Sequence, residues 1–257
     1  MPGVAIADRD CTALLMSMKS AVGAWVRRRL RLTQFLTELL RVESRSMRLR
    51  AAGALFPWSW SRHRRLRAMR GIFVNVGCGP FVLPVFVNVD LYRHSPEIVP
   101  WDCRWNLPFG DGSAKGIRAE HFFEHLEARE EAPEFLLDCF RVLEPGGVIR
   151  IIVPDAGRML DAYCRGPADR SGFRELAVPE PFPDDLPTRM DVVNHAFHQW
   201  HEHRWGYDAE TLIHRLEQAG FTEVHQSAFG KSLIASLAAD RDEHRPYSLY
   251  VEARKPE

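Results

Sequence analysis

What most constrains the fold of this chain is an alternation over residues 71–155, where short β-rich apolar runs take turns with segments of helical periodicity. Residues 72–76 form the first run, I-F-V-N-V, and it ends directly in Gly77-Cys78-Gly79-Pro80. Residues 85–89 form a second, ending at Asp90; 117–119 make a short third, followed by a helix-like 122–126. Between 132 and 143, Phe135, Leu136, Cys139, Phe140 and Leu143 recur on one side of a helix. Pro145-Gly146-Gly147 stops that helix, and 148–153 is an apolar run of the buried-strand type. Strands alternating with helices imply a parallel sheet covered on both faces.

The flanks differ from this centre. Residues 1–70 hold 15 basic against 4 acidic side chains, and the rest of the chain 19 against 30, so a net charge of zero hides two opposite halves. Leu32, Phe35, Leu36, Leu39 and Leu40 recur at helical spacing, Pro57 with Trp58 and Trp60 interrupts them, and Arg62, Arg64, Arg65, Arg67 and Arg70 follow. This predicts a basic helical extension over 1–70. It packs on the acidic main domain or meets an anionic membrane surface or a protein partner. No nucleic-acid-binding motif accompanies the arginines, and the acidic main domain would repel nucleic acid. Beyond the alternating region come a helix to Tyr163, a proline-rich loop over 165–190, a helix over 209–219 capped by Gly220, and closing strands at 221–225 and 248–253. No run of about 18 apolar residues is present, so no membrane-spanning helix is expected. A secretory leader is not expected either, since Asp8 and Asp10 come early. Five cysteines without a CxxC pair read as reduced thiols in a cytoplasmic setting, with a peripheral place at the inner membrane face left to the basic segment.

In open α/β sheets, ligands lie beyond the carboxyl ends of the strands. Gly77 and Gly79 follow the first strand, where a missing side chain lets a ligand lie against the backbone. Asp90, ending the next strand, can accept two hydrogen bonds from a ribose diol. The dinucleotide fingerprint needs a third glycine and an acid about 20 residues on. Here the third position is Val82 and the acid comes 11 residues after Gly79, so the usual pyrophosphate cradle is missing. A phosphate-binding G-x-x-x-x-G-K-[ST] loop is missing too.

The strings V-N-V-G-C-G-P (74–80), V-N-V-D-L (87–91), W-D-C-R-W-N-L-P-F-G-D-G-S (101–113), H-F-F-E-H-L (121–126), F-R-V-L-E-P-G-G-V-I-R-I-I-V-P-D (140–155) and H-R-W-G-Y-D-A-E-T-L (203–212), running on to A-G-F (219–221), make the chain specifically similar to class I S-adenosylmethionine-dependent methyltransferases. It most resembles the small bacterial methyltransferase type 11 group. The resemblance covers about residues 71–225. It implies a Rossmann-like fold, a mostly parallel seven-stranded sheet with helices on both faces, over 71–257, with 164–208 as a substrate-side insertion or lid.

It also implies roles. Gly77, Cys78 and Gly79 form the turn against the methionine part of the cofactor, Asp90 holds the ribose hydroxyls, and Leu91 lies beside the adenine. Asp102 matches an acid near the adenine amino group, Leu107 a residue whose backbone faces the ring, and Glu120 with His121 the sulfonium end. Glu124 and His125 brace the segment after the fourth strand. The stretch Asp111-Gly112-Ser113-Ala114-Lys115 departs from relatives that read D-S-F-D, which puts the local packing in question.

The remaining chemistry lies in N-H-A-F-H-Q-W-H-E-H, where His195, His198 and His201 follow one another at spacings of three, within about 120° on a helix. A histidine among His121, His195, His198 and His201 could take a proton from the acceptor. The spacings match no standard closed zinc motif, so no residue is assigned to a metal. The resulting expectation is methyl transfer from S-adenosylmethionine to an oxygen or nitrogen of a small-molecule or glycan acceptor. Two readings stand beside it: a cofactor-binding scaffold without turnover, and a metal-dependent enzyme built on the His195–His203 stretch.

Overall fold

A computed structural model describes residues 34–166, 168, 173 and 185–257. The expectations for 1–33 and most of those for 167–184 lie outside the described residues. The chain divides into two compact units, Met1–Met47 and Arg48–Glu257. Helix α1 spans Gln34–Leu55 and α2 spans Pro57–Ala68, the latter with proline in its first turn, where a missing N–H leaves nothing unsatisfied. Helix α2 belongs with the larger unit. Leu66 is buried in that unit's core, and the His63 ring meets Trp101 edge-on at 4.8 Å.

The seven strands are β1 (Ile72–Val76), β2 (Phe86–Asp90), β3 (Ile98–Pro100), β4 (Ala114–Glu120), β5 (Leu143–Pro154), β6 (Thr222–Gln226) and β7 (Ser248–Arg254). They form one sheet in the order β3-β2-β1-β4-β5-β7-β6. Pairs from β3 through β5 are parallel, while β7 runs antiparallel to both β5 and β6. The expected sheet is therefore present, and its order reverses beside β1, where the glycine turn emerges. Helix α3 (Glu131–Val142) buries Ala132, Phe135, Leu136, Cys139 and Val142, as its periodicity predicts. Each of the larger of these side chains contributes about 1.5–3 kcal/mol by leaving water. The rings of Phe122 and Phe123 complete that layer against Phe135.

Three local expectations change. The Pro145-Gly146-Gly147 stretch does not separate helix from strand; β5 begins at Leu143 and passes through it, with an irregular register against β4 at Ala114/Gly116. The helix-like 122–126 is one 3-10 turn over Phe123–His125. Strand β3 is too short, at three residues, to show a period. The departing stretch at 111–115 packs normally: Ala114 is fully buried as the start of β4, Lys115 points outward, and Asp111 pairs with Arg141 at 2.8 Å.

The strands also carry a polar row that an apolar reading of the runs passes over. Asn88, Asn75, Arg118, Arg150 and Glu252 lie side by side in register across five strands, all buried. Arg150 donates to Asp240 and Glu252 at 2.6 and 2.9 Å and to the carbonyls of Ala228 and Lys231. Arg118 donates to Glu120 at 2.6 Å. The 228–241 segment thus closes over the row: Asp240 and two backbone carbonyls hold Arg150, while Glu120 holds Arg118, whose Nε is buried without a hydrogen-bond partner.

Candidate active site

The turn after β1 places Gly77 and Gly79 in the left-handed region, with φ of +61° and +52°. Their surroundings differ. A Cβ on Gly77 would lie 2.3 Å from the Phe122 ring, so protein fills the space over it. A Cβ on Gly79 would meet nothing within 4 Å, so the backbone there is open to a ligand. Asp90 faces the same turn: Oδ2 accepts from the Gly79 N–H at 2.9 Å and Oδ1 from the Tyr92 N–H at 2.7 Å. A carboxylate has about four lone-pair sites, so two remain for a diol. Cys78 is buried, and burial with the Asp90 charge pushes its thiol up to about 12, so it is a neutral wall and not a nucleophile. Leu91 follows Asp90, half-buried.

Other expected cofactor residues are already engaged. Asp102 is held by Arg104 through both carboxylate oxygens, at 2.9 and 2.7 Å. Leu107 is buried, with its N–H given to Asp138 and its carbonyl accepting from Arg141. Glu120 accepts from Arg118, from the Arg241 N–H and at 3.1 Å from His244. Burial would raise its carboxyl, but the His244 hydrogen bond and the Arg118 charge outweigh that and hold it below the ordinary value.

His121 is the junction between this turn and a second site. It takes φ of +53°, a left-handed conformation costing a β-carbon residue about 1–2 kcal/mol. Its Nε2 is 2.8 Å from the Ser248 hydroxyl, its Nδ1 3.5 Å from Glu124, and its ring lies 3.8 Å from that of His244. Burial, then the neighbouring His244, His203, His125 and Arg241, keeps it well below the ordinary histidine value. Next to it a cleft opens beyond the carboxyl ends of β4 and β5, walled by Glu124, Asp155, His195, His203, Trp205 and Tyr247. Helix α4 (Ala156–Arg165) starts at its edge, with Asp155 capping the Arg158 N–H at 3.0 Å.

The histidine-rich stretch does not form one helical face. Helix α5 (Arg189–His198) ends at Gln199, whose φ of +35° turns the chain into a separate 3-10 turn over Gln199–His201. His195 therefore reaches the cleft, while His198 and His201 are exposed and are not part of its wall. Instead, Glu124, His125 and His203 come together, with one ligating atom of each within 4.8 Å of the others. Burial depresses His125 against the pull of the Glu202 carbonyl, and burial with His125 nearby pushes His203 down to about 4. Glu124 and His203 are 79 positions apart, so no spacing rule could have paired them. Arg241, His244 and Ser248, from the C-terminal segment, were likewise out of reach; only the glutamate–histidine pair in H-F-F-E-H was a visible signal.

Residues 88–151 match a family model described as "Methyltransferase domain", on the strands that carry Asp90 and His121. Over that stretch the chain is similar to methyltransferase domains. The turn fits S-adenosylmethionine, the methyl donor that the resemblance implies: Gly79 lies open and Asp90 has accepting capacity left. No curated protein matches the chain. Among solved structures, phosphoethanolamine N-methyltransferase 2 of Haemonchus contortus, in complex with S-adenosyl-L-methionine, is 13% identical, with 88% of this chain and 61% of that chain covered and a TM-score of 0.44. A SAM-dependent methyltransferase from Archaeoglobus fulgidus is 16% identical over 87% and 100%, with a TM-score of 0.42. One from Mesorhizobium loti is 17% identical over 76% and 96%, with a TM-score of 0.43. The likeness to methyltransferase domains rests on the match over 88–151, and the solved structures carry no part of it.

Proposed function

We propose that the chain transfers the methyl group to an oxygen or nitrogen of a small-molecule or glycan acceptor by in-line displacement. The observation that carries this is the cleft walled by Glu124 and Tyr247, which both meet His121, together with aromatic and histidine side chains. S-adenosylmethionine, when bound, supplies a methyl group already activated on a sulfonium. The protein's share is then to hold and align. Gly77, Cys78 and Gly79 with Asp90 would hold the cofactor, Leu91 would lie beside its base, and Arg241, 5.4 Å over the Phe81 ring, would face its carboxylate. Trp205 and Tyr247 give the acceptor flat apolar surface, and His195 would receive its proton.

His121 acts in this reading by position: with Ser248 on one ring nitrogen and Glu124 near the other, it fixes the partition between the two sites. His198 and His201, being exposed, would act only at the rim of the cleft. The acidic balance of 71–257 favours a small acceptor over nucleic acid. No helix among the described residues is long and apolar enough to cross a membrane. A cytoplasmic setting, with the basic segment touching a membrane surface or a protein, completes the proposal.

The test is transfer of label from methyl-labelled S-adenosylmethionine to panels of phenols, sugars, lipids and amines. An accepted substrate should lose most of its kcat/KM in Trp205→Ala and His195→Ala. If no panel member is labelled while S-adenosylhomocysteine still binds, the chain is a cofactor-binding scaffold and the transfer proposal fails.

A further inference from the structure

The cluster of Glu124, His125 and His203 has no task in cofactor binding. We propose that these three side chains hold one divalent transition-metal cation of the zinc kind, with open coordination positions facing the cleft, where they take a hydroxyl oxygen of the acceptor.

Three observations carry this. The first is convergence: one ligating atom from each residue lies within 4.8 Å of the others. Ligands about 2.1 Å from a tetrahedral ion lie about 3.4 Å apart, so the group closes on an ion with side-chain movements of about an ångström. The second is tautomer control. His203 Nδ1 lies 2.8 Å from the Ala196 carbonyl and His125 Nδ1 3.0 Å from the Glu202 carbonyl. A carbonyl only accepts, so both Nδ1 atoms carry the proton and both Nε2 atoms keep the lone pair that a metal needs. Backbone acceptors behind ligating histidines are the outer shell by which metal sites orient their imidazoles. The same elements are locked together, since the Glu124 carbonyl accepts from the Arg204 and Trp205 N–H groups at 2.7 and 3.3 Å.

The third is placement. Glu124 and His203 are in the cleft wall, and His125 is outside it. Two imidazoles and a carboxylate make a borderline donor set that leaves at least one position vacant. Because Glu124 and His203 also wall the cleft, the proposal has that position open towards it. A Lewis acid there lowers the proton affinity of a bound hydroxyl, a help that a neutral amine does not need. The inferred acceptor is therefore an alcohol or phenol. This last step rests on the methyl-transfer reading, whereas the metal site itself does not.

The test uses the full chain, stripped with a chelator and titrated with Co2+, following visible absorbance, with Zn2+ as competitor. S-adenosylhomocysteine is titrated by calorimetry into the same samples. One Co2+ per chain, displaced by Zn2+, is expected, with binding weakened roughly 100-fold or more in Glu124→Gln and in His203→Ala. His198→Ala and His201→Ala should bind Co2+ as the parent does. His203→Gln serves if the alanine variant fails to fold: Zn2+ should raise the melting temperature of the parent and not of this variant. The absence of a saturable Co2+ site, a site that survives both Glu124→Gln and His203→Ala, or one lost in His198→Ala would each overturn the metal proposal. S-adenosylhomocysteine binding without Co2+ binding removes the metal site and leaves the methyltransferase reading standing. Co2+ binding without S-adenosylhomocysteine binding keeps the metal site and removes the alcohol acceptor.

Discussion

Two groups of buried ionisable side chains, one within the sheet across β4, β5 and β7 and the other in the turn after β4 and at His203, are finished differently. In the row of Arg118, Arg150 and Glu252, covered by Asp240, the guanidinium groups meet carboxylates at 2.6–2.9 Å and backbone carbonyls fill further positions. In the cluster of Glu124, His125 and His203, each imidazole has its proton assigned to a carbonyl, and two of the three residues face a cleft. The first takes its ionic partners from within the chain. The second is arranged towards something outside the chain. Burial of charge by itself therefore does not mark a site; what marks one is a set of partners that stops short on the side facing a cavity.

The largest effect should come from opening the closed row. Arg150→Met leaves Asp240 and Glu252 buried without their guanidinium, and a loss of about 3–5 kcal/mol in chemical denaturation is expected. A loss below 1 kcal/mol would mean that the row is not a structural unit. Next come the two glycines of the turn. Gly77→Ala drives a methyl group into Phe122 in a left-handed backbone and should lose about 1–3 kcal/mol. Gly79→Ala should lose less than Gly77→Ala, yet weaken S-adenosylhomocysteine roughly tenfold, about 1.4 kcal/mol of binding. Equal stability losses at the two positions would contradict the difference in their surroundings.

Glu124→Gln should move folding stability by no more than about 1 kcal/mol, because functional clusters contribute little to the fold. A loss as large as that of Arg150→Met would make the two groups alike. The smallest effect is in pH. His203, held down near 4, and the similarly depressed His121 and His125 stay neutral in the folded chain while the unfolded chain takes up protons near pH 6.5. Below that pH the unfolded state binds more protons, so stability is intact above about 6.5 and falls as the pH drops towards 4. His203→Gln should flatten part of that fall in denaturation curves taken across the range; an unchanged slope would show that His203 is not responsible.

Much of the fold was legible because its signals are local. The period of α3, the glycines ending β1 and the acid ending β2 lie within a few residues of what they determine. The turn was legible for the same reason: Gly79 and Asp90, both picked out in the sequence, come together through one hydrogen bond. What stayed hidden depends on pairs distant in sequence. Arg150 finds Asp240, Glu120 finds His244, and Glu124 meets His203 only after the sheet has formed. Leu107 likewise gives its backbone groups to Asp138 and Arg141, 31 and 34 positions on, whereas Asp102 is held by Arg104 only two residues away. The histidine stretch reads as one face until Gln199 turns left-handed and divides it.

The most direct measurement is calorimetric titration of S-adenosylmethionine and S-adenosylhomocysteine into the purified chain and into Asp90→Ala, with NAD as control. One site per chain for both sulfur nucleosides, none for NAD, and a loss of at least tenfold in the Asp90 variant are predicted. Binding that ignores Asp90→Ala, or no binding of either nucleoside by the parent chain, would contradict the placement of the cofactor on the turn after β1.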